Sequence, residues 1–328
     1  MDKVKVIVIT GPTATGKTAL GVNIALRSNG EIVSADSRQV YRGLDIGTGK
    51  DLSEYLKDPQ KVKYHLIDIV EPNEVYNLKQ FNCDALKIIK ELSDVKKLPV
   101  VVGGSPLYID SLISKYEFPL SPPDTSIRDF LKDKTAEEIG NYLKTNHPEQ
   151  YNQIENKLSR PRLIRVLEDL EQEKNGNNDS ESLNSNYEYL IIAPYYDRKE
   201  VHYRIEKRLD ERLKSGLIEE VCRLHSNGVS WERLDSFGLE YRYISRYLKN
   251  ELSCQEMRNT LLAKIRQFAR GQDIWFRKME REGHEIYWIQ QGNFQEASEL
   301  IKLFISNRML PEPKIRISEI IYGKKQKK

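Results

Sequence analysis

The chain contains 328 residues, 31% of them charged, and its mean hydropathy is −0.62. This length has room for about two domains, and no apolar run approaches the ~20 residues of a membrane-spanning helix. The net charge is only +3, so a surface for nucleic acid must come from local clusters of basic residues. Cys83, Cys222 and Cys254 form no C-x-x-C pair, so we expect no disulfide framework, no zinc site and a reducing cytoplasm.

The first motif follows an apolar run at residues 4–10, which predicts a buried strand. Glycines at 11 and 16, with the lysine and threonine after them, fit the phosphate-loop pattern G-x-x-x-x-G-K-T, and a helix is predicted directly after it. Backbone amides, the lysine and the helix N-terminus would hold phosphate oxygens, and the threonine hydroxyl would ligate Mg²⁺. The eight residues are Gly11, Pro12, Thr13, Ala14, Thr15, Gly16, Lys17 and Thr18.

Strand and helix patterns alternate through the next hundred residues. Buried strands are predicted at 31–35, 64–69 and 99–102, with helices between them, and a further strand at 189–193. Such alternation predicts an α/β fold with a parallel sheet flanked by helices, like that of P-loop nucleotidases. We expect a catalytic core formed by residues 1–118 and 187–310, a small helical insertion at 119–186 and a basic tail at 311–328.

The last third of the chain is predicted to be helical. Ser253 and Glu256 form a capping box that opens a long helix carrying several basic residues. Gly271 interrupts this helix, at a cost of about 1 kcal/mol relative to alanine. An edge strand at 285–289 and a closing helix at 294–305 complete the predicted core.

Two carboxylates are candidates for chemistry. Asp36 follows a predicted strand beside the phosphate loop, where it would serve either as a general base or as a turn residue. P-loop nucleotidases hold Mg²⁺ through an acidic residue at a strand end, but the best apolar strand here ends in Gly103-Gly104-Ser105. The alternative that Asp68 supplies this acid stays open.

Basic residues cluster on two predicted helices. Arg162 and Arg165 share one helix face, and the long helix carries Lys264, Arg266 and Arg270. Each cluster would bind either polynucleotide phosphates or only solvent, and composition alone favours solvent. The five histidines are isolated and lack the spacing of metal ligands.

Together these segments resemble the tRNA dimethylallyltransferase family. The resemblance extends in order over most of the chain, and SADSRQVY with DIGT is more specific than the phosphate loop. The matching segments are GPTATGKT at 11–18, SADSRQVYRGLDIGTGK at 34–50, HLIDI at 65–69, VVGGSPLYI at 101–109, residues 162–168 and IRQFARGQDIWFR at 265–277.

The resemblance implies transfer of a dimethylallyl group from dimethylallyl diphosphate to the N6 amine of the adenine that follows the tRNA anticodon. Residues 11–18 would then hold the diphosphate with Mg²⁺, and Asp36 would be the base. Ser105 stands where the family usually has threonine, and Arg128 matches an arginine that stabilises the transition state. Contacts to the anticodon stem-loop would come from Asp36, Ser37, Arg38, Gln39, Arg162, Arg165, Lys264, Arg266 and Arg270.

Three positions, all in regions expected to contact RNA, depart from the family pattern: Pro161, Glu240 and Gly271. Other hypotheses remain at this point. They are a relative that prenylates free adenine nucleotides, a P-loop kinase of small molecules, and a non-catalytic RNA-binding module. We expect a monomeric cytoplasmic enzyme without a membrane partner.

Overall fold

The computed structural model describes residues 3–56, 61–114, 125–154, 157–174 and 186–320. The chain divides into two compact units. The larger unit comprises Met1–Ser114 and Asn184–Lys328, and the smaller comprises Lys115–Leu183. Within the described residues, no helix is both long enough and apolar enough to cross a membrane.

The larger unit alternates strands and helices before it becomes mostly helical. Its strands are β1 (Val4–Ile9), β2 (Gly30–Ser34), β3 (Tyr64–His65), β4 (Leu98–Val102), β5 (Tyr187–Tyr195) and β6 (Ile286–Gln290). Its first helices are α1 (Lys17–Arg27), α2 (Leu52–Tyr55), α3 (Leu78–Asp94) and α4 (Pro106–Ile113). Those after β5 are α9 (Arg198–Lys214), α10 (Leu217–Ser226), α11 (Trp231–Ser236), α12 (Leu239–Leu248), α13 (Cys254–Arg281) and α14 (Phe294–Ile305).

The six strands form one sheet in the order β3-β2-β4-β1-β5-β6, and every pairing is parallel. Residues of β1 alternate between two apolar clusters, since Val6 and Val8 face one cluster while Ile7 and Ile9 face the other. A parallel sheet covered by helices on both faces gives apolar strands of this kind. The α/β fold class predicted from the sequence is confirmed.

The carboxyl ends of β1, β2, β4 and β5 lie at one edge of the sheet, because the strands are parallel. β2 and β4 approach each other so closely there that a Cβ on Gly103 would lie 2.1 Å from the Ala35 carbonyl oxygen. Glycine at position 103 therefore brings the loop that begins at Asp36 against the loop that contains Ser105.

The smaller unit is helical throughout its described part, with α5 (Thr125–Phe130), α6 (Ala136–Asn146), α7 (Pro148–Gln153) and α8 (Arg160–Lys174). The predicted capping box forms, since Thr135 and Glu138 exchange side-chain-to-backbone hydrogen bonds at the start of α6. Apolar side chains from α6 and α8, including Leu143 and Leu163, form a separate core. This unit overlaps the predicted insertion at 119–186, although its bounds differ by a few residues.

Two local predictions are wrong. The strand predicted at 64–69 ends at His65, because Leu66 and Asp68 have φ of 61° and 55°, which a strand does not accommodate. Gly271 does not interrupt α13, which continues for 28 residues from Cys254 to Arg281. A glycine weakens a helix without breaking it when the flanking hydrogen bonds form.

The described part of the predicted tail at 311–328 contacts α13. A short 3₁₀ helix covers Ile317–Glu319, and the Ile317 side chain is buried. The buried Glu280 of α13 accepts hydrogen bonds from the backbone amides of Ile317 and Ser318 at 3.2 and 2.6 Å. Residues 321–328 lie outside the described residues.

Two helical glycines should respond oppositely to alanine. In α1, a Cβ on Gly21 would lie 2.5 Å from Val102 Cγ2, so we expect Gly21→Ala to lower the free energy of unfolding by ~1–3 kcal/mol. In α13, a Cβ on Gly271 would meet no atom within 4 Å, so Gly271→Ala should raise it by ~0.5–1 kcal/mol. Urea denaturation measures both, and equal effects would contradict the packing described for α1.

Candidate active site

The phosphate loop folds around left-handed backbone conformations. Gly11, Ala14 and Gly16 have φ of 131°, 63° and 80°. The Thr15 hydroxyl donates to the Pro12 carbonyl oxygen at 2.8 Å. Gly16 precedes α1 without a side-chain cap, which leaves the first helical amides to an anion.

Lys17 occupies a crowded electropositive position within this loop. Its Nζ donates to the Pro12 carbonyl oxygen at 2.7 Å. The pKa of Lys17 is lowered to about 7, mainly by burial and also by the nearby Arg208 guanidinium, whereas Asp36 partly opposes the shift. Near pH 7 the lysine is therefore a mixture of charged and uncharged forms. A bound anion would favour the charged form.

Three arginines of α9 approach this site, and the sequence analysis did not single them out. Arg204 Nε donates to the Ala14 carbonyl oxygen at 2.7 Å, and Arg208 Nη2 donates to the Thr13 hydroxyl. Arg212 Nη1 donates to the Gly47 carbonyl oxygen at 3.2 Å. Their spacing of four residues, just after a buried strand, is the signal that identifies them as one helix face.

Arg208 is itself strongly perturbed. Its pKa is lowered to about 9, mainly by burial and also by Arg212, whereas Glu240, Asp51 and Asp36 oppose the shift. Glu240, one of the three departures from the family pattern, lies 3.6 Å from Arg212. The phosphate loop therefore faces buried cations that neighbouring carboxylates only partly offset.

Gln272 of α13 fixes the phosphate loop to the end of β4. Its Oε1 accepts from the Thr13 amide at 2.9 Å, and its Nε2 donates to the Gly104 carbonyl oxygen at 2.6 Å. The glutamine side chain is 4% exposed, so both hydrogen bonds are shielded from water.

Asp36 lies just beyond β2, where it makes the turn contact that the sequence analysis considered. Its Oδ1 accepts from the Arg38 amide at 2.9 Å, which is a turn contact. The same carboxylate acts electrostatically on Lys17 and Arg208 and helps to raise the pKa of Tyr108, which burial raises most. A turn bond through one oxygen leaves the second oxygen for other chemistry.

Ser105 and Gln39 mainly hold the loops around Asp36. Ser105 Oγ accepts from the Ser37 amide at 3.1 Å. Gln39 is buried, and its amide accepts from Ser34 Oγ at 3.1 Å and donates to the Gly49 carbonyl oxygen at 3.0 Å. The Gln39 side chain is therefore engaged inside the protein.

Glu220 organises the glycine-rich loop that follows. This buried carboxylate accepts from the backbone amides of Asp45, Ile46 and Gly47 at 3.0, 2.7 and 3.1 Å, and from the Tyr241 hydroxyl at 2.8 Å. A carboxylate that receives so many hydrogen bonds holds its loop in one conformation.

The alternative metal ligand, Asp68, has another partner. Its carboxylate pairs with Lys50, whose side chain is 1% exposed and which also contacts Asp45 at 2.6 Å. Within the described residues, no group of three or more His, Cys, Asp or Glu side chains could hold a metal ion. The structure thus favours a structural role for Asp68.

Arg128 and Arg165 of the smaller unit share the fully buried Glu168. Its carboxylate accepts from Arg128 Nε at 2.6 Å and from Arg165 Nη1 at 3.0 Å. Arg165 also pairs with Asp169 at 3.0 Å. Glu168 therefore helps to position both arginines, and Asp169 gives Arg165 a second partner.

The basic residues of α13 differ in their environments. Arg266 pairs with Glu206 at 2.7 Å, and Lys264 Nζ donates to Gln267 at 3.3 Å. Arg270 is exposed. Arg266 and Lys264 would therefore have to give up an internal partner before they bind an external anion.

A parallel α/β sheet with a phosphate loop at its carboxyl edge is the arrangement of P-loop proteins. In this chain a helical insertion interrupts that arrangement. The model of the IPP transferase family matches residues 39–279. The chain belongs to the IPP transferase family, and it is therefore a prenyl-transferring enzyme.

Similar proteins cover nearly the whole chain. The tRNA dimethylallyltransferase 2 of Citrifermentans bemidjiense is 42% identical over 302 residues, which are 92% of this chain and 95% of the relative. A tRNA isopentenylpyrophosphate transferase structure from Bacillus halodurans superposes with a TM-score of 0.68 at 29% identity, over 93% of this chain and 98% of the other. A eukaryotic dimethylallyltransferase structure, 23% identical over 94% of this chain and 81% of its own, shares the fold with a TM-score of 0.79.

The lowered pKa of Lys17 predicts proton uptake when a diphosphate binds. At pH 8 Lys17 is mostly neutral in the free protein, because its pKa is about 7. A bound anion raises that pKa, so binding takes up a proton and weakens as the pH rises above 7. Calorimetry with inorganic diphosphate in two buffers of different ionisation enthalpy measures the uptake.

Lys17→Met is the matched control, since it removes the titrating amine while keeping a long side chain. We expect this variant to bind diphosphate more weakly and without the proton uptake seen near pH 8. Equal uptake in the variant and the parent would assign the titration to another group.

Proposed function

We propose that this protein transfers a dimethylallyl group from dimethylallyl diphosphate to the N6 amine of the adenine that follows the anticodon in tRNA. Family membership and the names of the relatives support this activity. The observation that carries it is the placement of Asp36 beside a phosphate loop whose lysine it influences electrostatically. A leaving-group cradle and a base thereby meet at one edge of the sheet.

The phosphate loop is proposed to hold the diphosphate as the leaving group. Residues 11–18 offer backbone amides and Lys17, and Arg208 adds a second buried cation beside Thr13. Negative charge grows on the diphosphate as its bond to the prenyl carbon breaks. Fixed positive groups in a buried site stabilise that charge more strongly than water does.

Asp36 is proposed to be the general base. The adenine amine is a weak nucleophile, because its lone pair is delocalised into the ring. As the new nitrogen–carbon bond forms, the carbon–oxygen bond to the diphosphate breaks and the amine proton passes to the Asp36 carboxylate. Ser105 positions the base loop through its hydrogen bond to the Ser37 amide.

A Mg²⁺ ion fits the residues next to the loop. Burial raises the pKa of Tyr55 most, Asp51 and Asp36 raise it further, and Thr18 opposes the shift, so these three side chains lie near Tyr55. Mg²⁺ prefers hard oxygen ligands and binds through one or two carboxylates together with phosphate oxygens. Thr18 would hold the ion, which would neutralise charge on the diphosphate.

The acceptor RNA is proposed to approach Asp36 from the loop that follows β2, with Ser37 and Arg38 near the target base and Gln39 holding that loop. The target base must leave its stack to reach the carboxylate. Further proposed contacts, including the arginine proposed for the transition state, are Arg128, Arg162, Arg165, Lys264, Arg266 and Arg270. We propose a monomeric cytoplasmic enzyme.

A prenyltransferase that acts on free adenine nucleotides is the second candidate, because the same leaving-group site and base would serve it. The small-molecule kinase is less well supported, since Asp68 pairs with the buried Lys50. A transfer assay separates these activities. We expect mass gain on an anticodon stem-loop, no gain on AMP, and no ATP turnover with a small alcohol.

In the same assay, Asp36→Asn should lower the rate of transfer by ~10²–10⁴-fold, which is the usual contribution of a general base. Asparagine keeps an oxygen for the Arg38 amide, so the turn and the affinity for diphosphate should persist. Transfer at the parent rate would refute Asp36 as the base, and gain on AMP alone would favour the second candidate.

Thr18→Val should raise the Mg²⁺ concentration needed for half-maximal transfer several-fold, since valine keeps the shape of threonine and removes the proposed metal ligand. A magnesium titration of the initial rate measures the effect. Thr260→Val on α13 is the matched control and should leave the titration unchanged. An unchanged midpoint in Thr18→Val would place the metal elsewhere.

A further inference from the structure

A small cavity of about 60 Å³ lies behind the phosphate loop. Pro12 and Thr15 of the loop form one wall, and Tyr195 and Trp288, at the carboxyl-end half of β5 and β6, form another. In the sheet, β5 lies on one side of β1, whereas β4 and β2, which lead to Ser105 and Asp36, lie on the other. The cavity is thus separate from the proposed reaction centre but shares its phosphate loop.

Four basic side chains line the rest of the cavity, together with apolar side chains of α9 and α13. Arg198 and His202 of α9 face Arg266 and Arg270 of α13. Burial lowers the pKa of His202, and all three arginines lower it further. Burial is the largest cause of that shift, and the contributions of the arginines agree with their place in the lining of the cavity.

Two acidic residues near the cavity are engaged in ion pairs, one of them with a lining arginine. Asp273 also lines it, but its carboxylate accepts from Arg277 at 3.2 Å. Glu206 binds Arg266 at 2.7 Å and is shared with Arg258. In addition, the buried Nε of Arg266 has no hydrogen-bond partner among the described residues. An anion in the cavity would offset the charge of its basic side chains.

We propose that this cavity is a second phosphate-binding site, which takes a phosphate group of the acceptor RNA backbone. The volume of 60 Å³ holds about four to six waters at ~10–15 Å³ each, enough for one phosphate group. Guanidinium groups match phosphate oxygens in pairs and favour this anion. The identity of the RNA rests on the proposed function, whereas the phosphate chemistry does not.

The sheet geometry makes an RNA source reasonable. In the sheet, β4 and β1 lie between β2 and β5. The carboxyl ends of β2 and β5 are therefore three strand spacings apart, or about 14 Å. Both ends lie at the same edge, so a single strand of RNA with its target base at Asp36 can place a neighbouring phosphate at the cavity. Free inorganic phosphate offers the same chemistry and is the other source.

The first test reads the cavity directly through His202. Proton NMR titrations of the full chain give histidine pKa values, and His202→Asn assigns the signal. Inorganic phosphate should raise the pKa of His202 in the parent and in Lys17→Met, which has a disabled phosphate loop. Arg270→Gln should abolish the rise, whereas Arg223→Gln, an exposed arginine on α10, should keep it.

The second test identifies the RNA phosphate. Methylphosphonate replaces one phosphate of the anticodon stem-loop at a time, and fluorescence anisotropy gives the dissociation constant. At one position the replacement should weaken binding to the parent about tenfold but leave binding to Arg198→Gln or Arg270→Gln unchanged. Those variants should also reduce the dependence of log Kd on log salt by about 0.7.

The outcomes are distinct. A methylphosphonate effect that appears at one RNA position in the parent and is absent in the arginine variants supports the site, with an RNA phosphate as its ligand. A phosphate-dependent rise in the His202 pKa without that methylphosphonate effect supports the site with free phosphate as its source. If neither occurs, the proposal is wrong, even where the parent protein transfers a prenyl group to RNA. Failure of that transfer would instead refute the proposed function and leave the His202 test valid.

Discussion

The site depends above all on the burial of positive charge around one backbone loop. Lys17 and Arg208 are held at lowered pKa because they are desolvated and lie close to one another, and Arg212 adds to the repulsion. Neighbouring carboxylates reduce this cost without removing it. The buried positive charges lower the stability of the free protein, and a bound polyanion offsets that cost. Preorganised electrostatic sites generally work in this way.

The same charges explain why the surrounding loops are so heavily hydrogen-bonded. Buried cations would draw mobile carboxylates toward themselves, so the carboxylates need fixed positions. Asp36 is held by the Arg38 amide, and Glu220 fixes the loop whose Gly47 carbonyl binds Arg212. The architecture of the sheet brings these loops together, and side-chain hydrogen bonds then set their exact spacing.

The sequence predicted the parts of this site that are local. The parallel fold and the phosphate-loop pattern at residues 11–18 follow from patterns a few residues apart, and Asp36 was proposed as a base from its place after a strand. Arg208 and Gln272 were missed, because each acts on a loop about 195 or 259 positions away. The strand predicted at 64–69 was shortened by left-handed residues that its apolar pattern does not reveal.

The contribution of Gln272 depends on its amide group and not only on its size, because one end of the amide accepts a hydrogen bond and the other end donates one. Its Oε1 accepts a hydrogen bond from the Thr13 amide of the phosphate loop, and its Nε2 donates one to the Gly104 carbonyl oxygen just after β4. Glutamate has the same shape but only accepts, so it would confront the Gly104 carbonyl with a second acceptor and bury a new negative charge. The two loops are thus joined by a side chain that must accept at one end and donate at the other, and glutamate cannot replace it.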